Sequence, residues 1–155
     1  MKIEGSHALS VPREKVWRML QDPGVLAEVT PGVQRLERIG PDRYQASLKL
    51  GIGPIRGTFD GHLEIRDKAE PESMTLLVEG SGGPGGVRAQ GLLTLEAQGE
   101  RTIIHYQGDP QISGRMAAVG GRLISGVAKK LVGQFFTDLE RAAASYPSEA
   151  DEEQE

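Results

Sequence analysis

The 155-residue chain contains no cysteine. That excludes disulfide scaffolding, a thiol nucleophile and any thiolate metal site. Aromatic residues are scarce, at 5%, so the core must be built mainly from aliphatic side chains. No apolar run approaches the ~20 residues of a bilayer-spanning helix. The opening Met1-Lys2-Ile3-Glu4-Gly5 lacks the apolar stretch of a signal peptide. A soluble, cytoplasmic protein is expected, with peripheral membrane contact left open. Excess positive charge is missing too: the formal net charge is −4, which argues against a nucleic-acid surface. A chain of this length is most simply one domain with a real core.

Proline is absent from residues 113–146, a stretch bounded by Pro110 and Pro147. At about 100° per residue, Met116, Gly120, Leu123, Ile124, Val127, Leu131 and Phe135 fall on one face. Arg115, Arg122 and Lys129 line the opposite side, and the spacing predicts one long amphipathic helix. Its interior glycines, among them Gly120, Gly121, Gly126 and Gly133, each cost roughly 1 kcal/mol against alanine. They imply close backbone approach, a bend, or empty space beside the helix, and empty space means a cavity. The apolar stripe also swings toward Val132, Phe136 and Leu139, as it would in a helix bent at Gly126 or Gly133.

Upstream, Ile3, Gly5, His7 and Leu9 alternate with polar residues, the pattern of a half-buried strand. Pro12 opens a short helix with Val16, Trp17 and Leu20 on its apolar side, and Asp22-Pro23 opens a second. Strands are then expected over 33–39, 44–52, 55–66, 74–79, 87–96 and 102–107. The glycine-rich segment 80–86 reads as a flexible loop between two of them. This order specifies an α+β domain: a curved antiparallel sheet of about six to seven strands wrapped around one long C-terminal helix, with two short helices after the first strand. The domain is expected over 1–146. The acidic, apolar-poor residues 147–155 are expected to be a disordered tail.

The same residues resemble a known family. Strand, paired short helices, curved sheet and long helix is the order of the START-like (SRPBCC) helix-grip superfamily. Within it, the chain is similar to the carbon monoxide dehydrogenase CoxG family over residues 1 to about 146. The most specific pieces are Val11-Pro12-Arg13-Glu14-Lys15-Val16-Trp17 and Leu50-Gly51-Ile52-Gly53-Pro54-Ile55, with Phe59 and Gly61 after them. The helix adds Val119-Gly120-Gly121-Arg122-Leu123-Ile124, Ala128-Lys129-Lys130-Leu131 and Gln134-Phe135-Phe136. The resemblance implies a protein that holds an apolar ligand between sheet and helix. It also implies an accessory of a molybdenum-dependent carbon monoxide dehydrogenase or related hydroxylase, concerned with membrane attachment and the quinone acceptor. Family members often carry a long C-terminal extension that reaches the membrane; here the last residues, 149–155, are acidic, and an anionic leaflet repels such charges.

A cavity is expected where sheet parity and helix face meet: Leu48, Leu50, Ile52, Phe59, Leu63, Leu76, Val78 and Leu93 opposite Met116, Gly120, Leu123, Val127 and Leu131. The competing reading is a plain packed core. Glycines on both walls and the shortage of bulky aromatics favour the cavity, and pockets for apolar ligands typically hold ~300–1,000 Å³. His7 and Gln134 are the candidate polar contacts, with a satisfied core histidine and a surface glutamine as the alternatives. Arg115, Arg122 and Lys129 would meet lipid headgroups or a partner enzyme, or simply form a solvated face. There is no nucleophile elbow, no phosphate-cradling loop and no helix-borne metal motif, so no catalytic residue, metal or cofactor is assigned. The expected function is non-enzymatic binding of a hydrophobic small molecule, such as menaquinone or another isoprenoid. Two rivals remain: an adaptor with a vestigial cavity, and an enzyme working through His7 and Tyr44.

Overall fold

The computed structural model describes residues 1–147; the expected acidic tail, from 148 on, lies outside the described residues. Strand β1 (Ile3–Leu9) leads into two short helices, α1 (Arg13–Leu20) and α2 (Pro23–Val29). Pro12 is the N-cap of α1, and Asp22 caps α2 by accepting hydrogen bonds from the amides of Gly24 and Val25, with Pro23 in the first turn. Both helices bury their apolar stripe, Val16, Trp17, Met19 and Leu20 from α1 and Val25, Leu26 and Val29 from α2.

Six strands follow: β2 (Val33–Gly40), β3 (Arg43–Ile52), β4 (Ile55–Ala69), β5 (Ser73–Gly82), β6 (Gly85–Gln98) and β7 (Arg101–Gly108). They form one antiparallel sheet in the order β1-β7-β6-β5-β4-β3-β2, and a short β8 (Gln111–Ser113) pairs with the start of β6. Register sets the faces. Leu63 lies opposite Tyr44 and Val78, Met74 opposite Leu93, and Leu95 opposite Ile104. All of these share the face toward the helices, since a period of two fixes every side once one is fixed. The expected alternation from 44 to 65 is therefore that of the gripped face.

Two expectations are corrected. The glycine-rich segment 80–86 is not a loop: β5 runs to Gly82 and β6 starts at Gly85, leaving only a tight turn. Glycine is needed at this tip because β8 runs over it at backbone contact. A Cβ on Gly85 would lie 2.1 Å from the Ser113 carbonyl oxygen, and Gly85 has φ +138°. Nor is 113–146 a single helix. Gly114–Val119 is a 3-10 helix, Gly120 interrupts it at φ 103° and ψ 143°, and α3 runs from Gly121 to Ala143. That backbone region is open essentially to glycine alone. The break turns the chain from the strand tips back along the concave face.

The apolar interior comes in two parts. The larger cluster joins Leu9, Val16, Trp17, Met19, Leu26, Tyr44, Met74, Leu95 and Ile104 with Phe136 and Leu139 of α3. The smaller contains Ile55, Phe59, Met116 and Ile124, with Leu50, Ile112, Val119 and Val127 against it. The C-terminal half of α3 closes the first, and its N-terminal turns close the second. This is the swing of the apolar stripe anticipated from the sequence.

Candidate functional site

Between the two clusters the gripped face is imperfectly covered. Leu63 and Leu76 pack against the larger cluster but remain only half-buried. Val78, on the central strand β5 and on the same face, is 39% exposed. A valine there would be fully buried if α3 lay flat on the sheet. Small residues run across this region: Gly91, Ala89, Gly80, Gly61 and Ala46 share the gripped face by register. They lower the floor beneath the helix. Gly61 serves a second purpose, because a Cβ there would lie 2.7 Å from the Glu79 carbonyl oxygen, so the strands could not approach as they do.

The helical glycines resolve the puzzle they posed. A Cβ on Gly121, Gly126 or Gly133 would meet nothing within 4 Å. Close approach is therefore excluded at these positions, and open space remains. Part of that space is a cleft of about 500 Å³ between the β3–β4 hairpin tip and the start of α3. Ile52, Gly53 and Pro54 form one wall; Val119, Gly120, Leu123, Gly126 and Val127 form the other, with Arg122 and Lys130 on it as well.

The expected lining residues divide accordingly. Leu63, Leu76 and Leu93 belong to the larger cluster, and Leu50, Phe59, Met116 and Val127 to the smaller. Leu48 and Leu131 are half-buried outside both, and Ile52, Gly120, Leu123 and Val127 line the cleft. Three placements differ from expectation. Met116 and Gly120 precede α3, so they do not continue its face. Leu123 points outward, 49% exposed, because the helix register after Gly120 gives Ile124 the inward position. Arg115 is separated from Arg122 and Lys129 by the same break, and its guanidinium donates to the Gly83 carbonyl at 3.0 Å, tying the 3-10 helix to the β5–β6 turn. Arg122 and Lys129 are exposed on α3.

Of the polar candidates, His7 is half-buried on the gripped face, its ring 5.6 Å from that of Phe136. Gln134 is exposed, since the inward positions nearby are taken by Phe135 and Phe136. Sequence reasoning missed Tyr106. It is half-buried on the same face, 6.1 Å from Phe136 by ring centre, and its hydroxyl lies over Gly5. The alternation Thr102, Ile104, Tyr106, Gly108 was sufficient to place it. Tyr44, the other acid–base candidate, is 3% exposed, and its hydroxyl donates to the Gln21 carbonyl at 3.4 Å. Burial pushes its pKa above the usual phenolic value, with the nearby Arg38 opposing. His7 and Tyr44 stand on β1 and β3, with four strands between them in sheet order. Among the described residues no group of three His, Cys, Asp or Glu could hold a metal, and no helix is long and apolar enough to cross a membrane.

The chain matches the carbon monoxide dehydrogenase CoxG family over residues 5–144. Among solved structures, it is similar to a conserved protein from Geobacillus kaustophilus, with 37% identity, a TM-score of 0.90, and coverage of 94% of this chain and 96% of that one. A START superfamily protein from Mycobacterium smegmatis aligns at a TM-score of 0.74 with 10% identity, over 93% of this chain and 97% of the other. A Thermus thermophilus protein aligns at 0.70 with 15% identity, over 96% and 100%. At such identities the last two show the helix-grip fold alone. No match is found among curated proteins.

Proposed function

Because the chain belongs to the carbon monoxide dehydrogenase CoxG family, we propose that it carries a hydrophobic small molecule, a quinone or similar isoprenoid, between its sheet and α3. In this reading it is a non-enzymatic accessory of a molybdenum-dependent carbon monoxide dehydrogenase-type enzyme, at work on the cytoplasmic side of the membrane. The observation that supports it most is the division of the core: two apolar clusters with Val78 39% exposed between helix and sheet. Apolar burial at ~25 cal/mol per Å² would draw a ligand into that gap. His7 and Tyr106, on adjacent strands at one side of the gripped face, would offer N–H and O–H groups to a carbonyl head.

Native mass spectrometry of freshly purified protein, followed by organic extraction, tests the proposal. One isoprenoid per chain, or uptake of added menaquinone, is expected. A protein that is empty and takes up none overturns the carrier reading. The accessory role is tested separately, by co-purification with a molybdenum hydroxylase from cells making both.

A further inference from the structure

The lip of the cleft combines two features that ordinary protein surfaces keep apart. Its apolar members, Ile52 and Pro54 on the hairpin tip and Val119 and Leu123 opposite, are partly or fully open to solvent. Leu123 is 49% exposed at the start of α3, although a sheet with room beside it lies one turn away. Around them stand only cations. Arg122 and Lys130 line the cleft itself, and Lys129 is exposed beside them. Lys49 and Arg56 flank the hairpin tip, where the Arg56 guanidinium donates to the Gly53 carbonyl at 3.0 Å. Residues 111–137 contain Arg115, Arg122, Lys129 and Lys130 and not one carboxylate, in a chain whose net charge is −4. Among the described residues, none of Arg122, Lys129 and Lys130 takes part in an ion pair. The negative charge of the molecule is therefore kept off this end.

We infer that the lip is a docking surface for an anionic lipid bilayer. The apolar side chains enter the boundary between headgroups and acyl chains, and Arg56, Arg122, Lys129 and Lys130 meet lipid phosphates. A second copy of the chain is a poor occupant, because a two-fold contact would set these cations against themselves. The inference deepens the carrier reading, and its purpose rests on it: a mouth lying on the membrane lets an isoprenoid pass from lipid to protein without crossing water.

The test uses the full chain and vesicles of phosphatidylcholine, with or without phosphatidylglycerol, in a sedimentation assay at low and high salt. Binding to the anionic vesicles only, weakened by salt, is expected. Each surface cation contributes roughly a fivefold factor, so R122Q/K129Q/K130Q should bind about 100-fold more weakly. Leu123→Ser should lose about tenfold through the apolar contact. All four side chains are exposed, and circular dichroism verifies that the variants fold. Wild-type protein that ignores anionic vesicles, or a triple variant that binds as wild type does, overturns the inference; the first result would pass the cleft to an acidic protein surface. Menaquinone uptake from detergent, measured in parallel, separates the two ideas. Vesicle binding without uptake defeats the carrier and keeps the lip, whereas uptake without vesicle binding defeats the lip alone.

Discussion

Replacing Gly126 by alanine should stabilise the protein. The position lies inside α3, and a Cβ there meets nothing within 4 Å. No contact is disturbed, so the intrinsic helix preference is left to act, about 0.8–1.0 kcal/mol in favour of alanine. For a domain of this size that raises Tm by about 2–4 °C. Gly133→Ala meets the same conditions. The two sites lie two turns apart and share no partner, so the double variant should gain about 2 kcal/mol. Thermal and urea unfolding followed by circular dichroism measure the gain. A loss of stability in either single variant would refute the reasoning, since it would mean that the space beside the helix is filled. The functional counterpart is Gly126→Leu. Its side chain enters the cleft of about 500 Å³, so the fold should survive while menaquinone uptake falls.

Gly120→Ala should behave in the opposite way. At φ 103° and ψ 143° a Cβ is strained, and the variant should lose about 1–3 kcal/mol in urea unfolding despite the empty space around it. Thr102 is fully buried and its hydroxyl donates to the Val11 carbonyl at 2.7 Å. Thr102→Val should cost about 1–3 kcal/mol by leaving that carbonyl unpaired, whereas a change under about 0.5 kcal/mol would show that the bond is dispensable. Tyr44 has its folded-state pKa raised by burial, so the neutral phenol is the form that stabilises the fold. Its contribution is complete below pH ~10 and is lost as pH rises through the folded value. Tyr44→Phe should therefore reduce the loss of stability above pH ~10, measured by urea unfolding across the alkaline range.

The grip itself was legible in the residues. Alternation from Tyr44 to Ile65 carried the covered face of the sheet because side-chain direction in a strand depends only on parity. Pro12 and Asp22-Pro23 marked the two short helices because helix starts are set by local capping and by the fixed φ of proline. The helical glycines announced open space, since each is a cost that packing would otherwise have removed.

What periodicity could not supply was the interruption at Gly120. The stripe through Met116, Gly120, Leu123 and Val127 suits an unbroken helix equally well, because a hydrophobic repeat records spacing and not backbone dihedrals. Contacts from other parts of the chain decide it. The Met116 amide donates to the Pro84 carbonyl at 2.9 Å and Arg115 holds Gly83, so the 3-10 helix is fastened to the β5–β6 turn before α3 begins. Once that anchor fixes the direction of departure, Ile124 rather than Leu123 turns inward, and Leu123 is left on the rim among cations. The sequence by itself determined the strand faces, the helix starts and the presence of spare volume, all of which follow from local geometry and composition. Only the tertiary structure decided where that volume opens and what surrounds it, because those depend on hydrogen bonds between residues about thirty positions apart, from Gly83 and Pro84 to Arg115 and Met116.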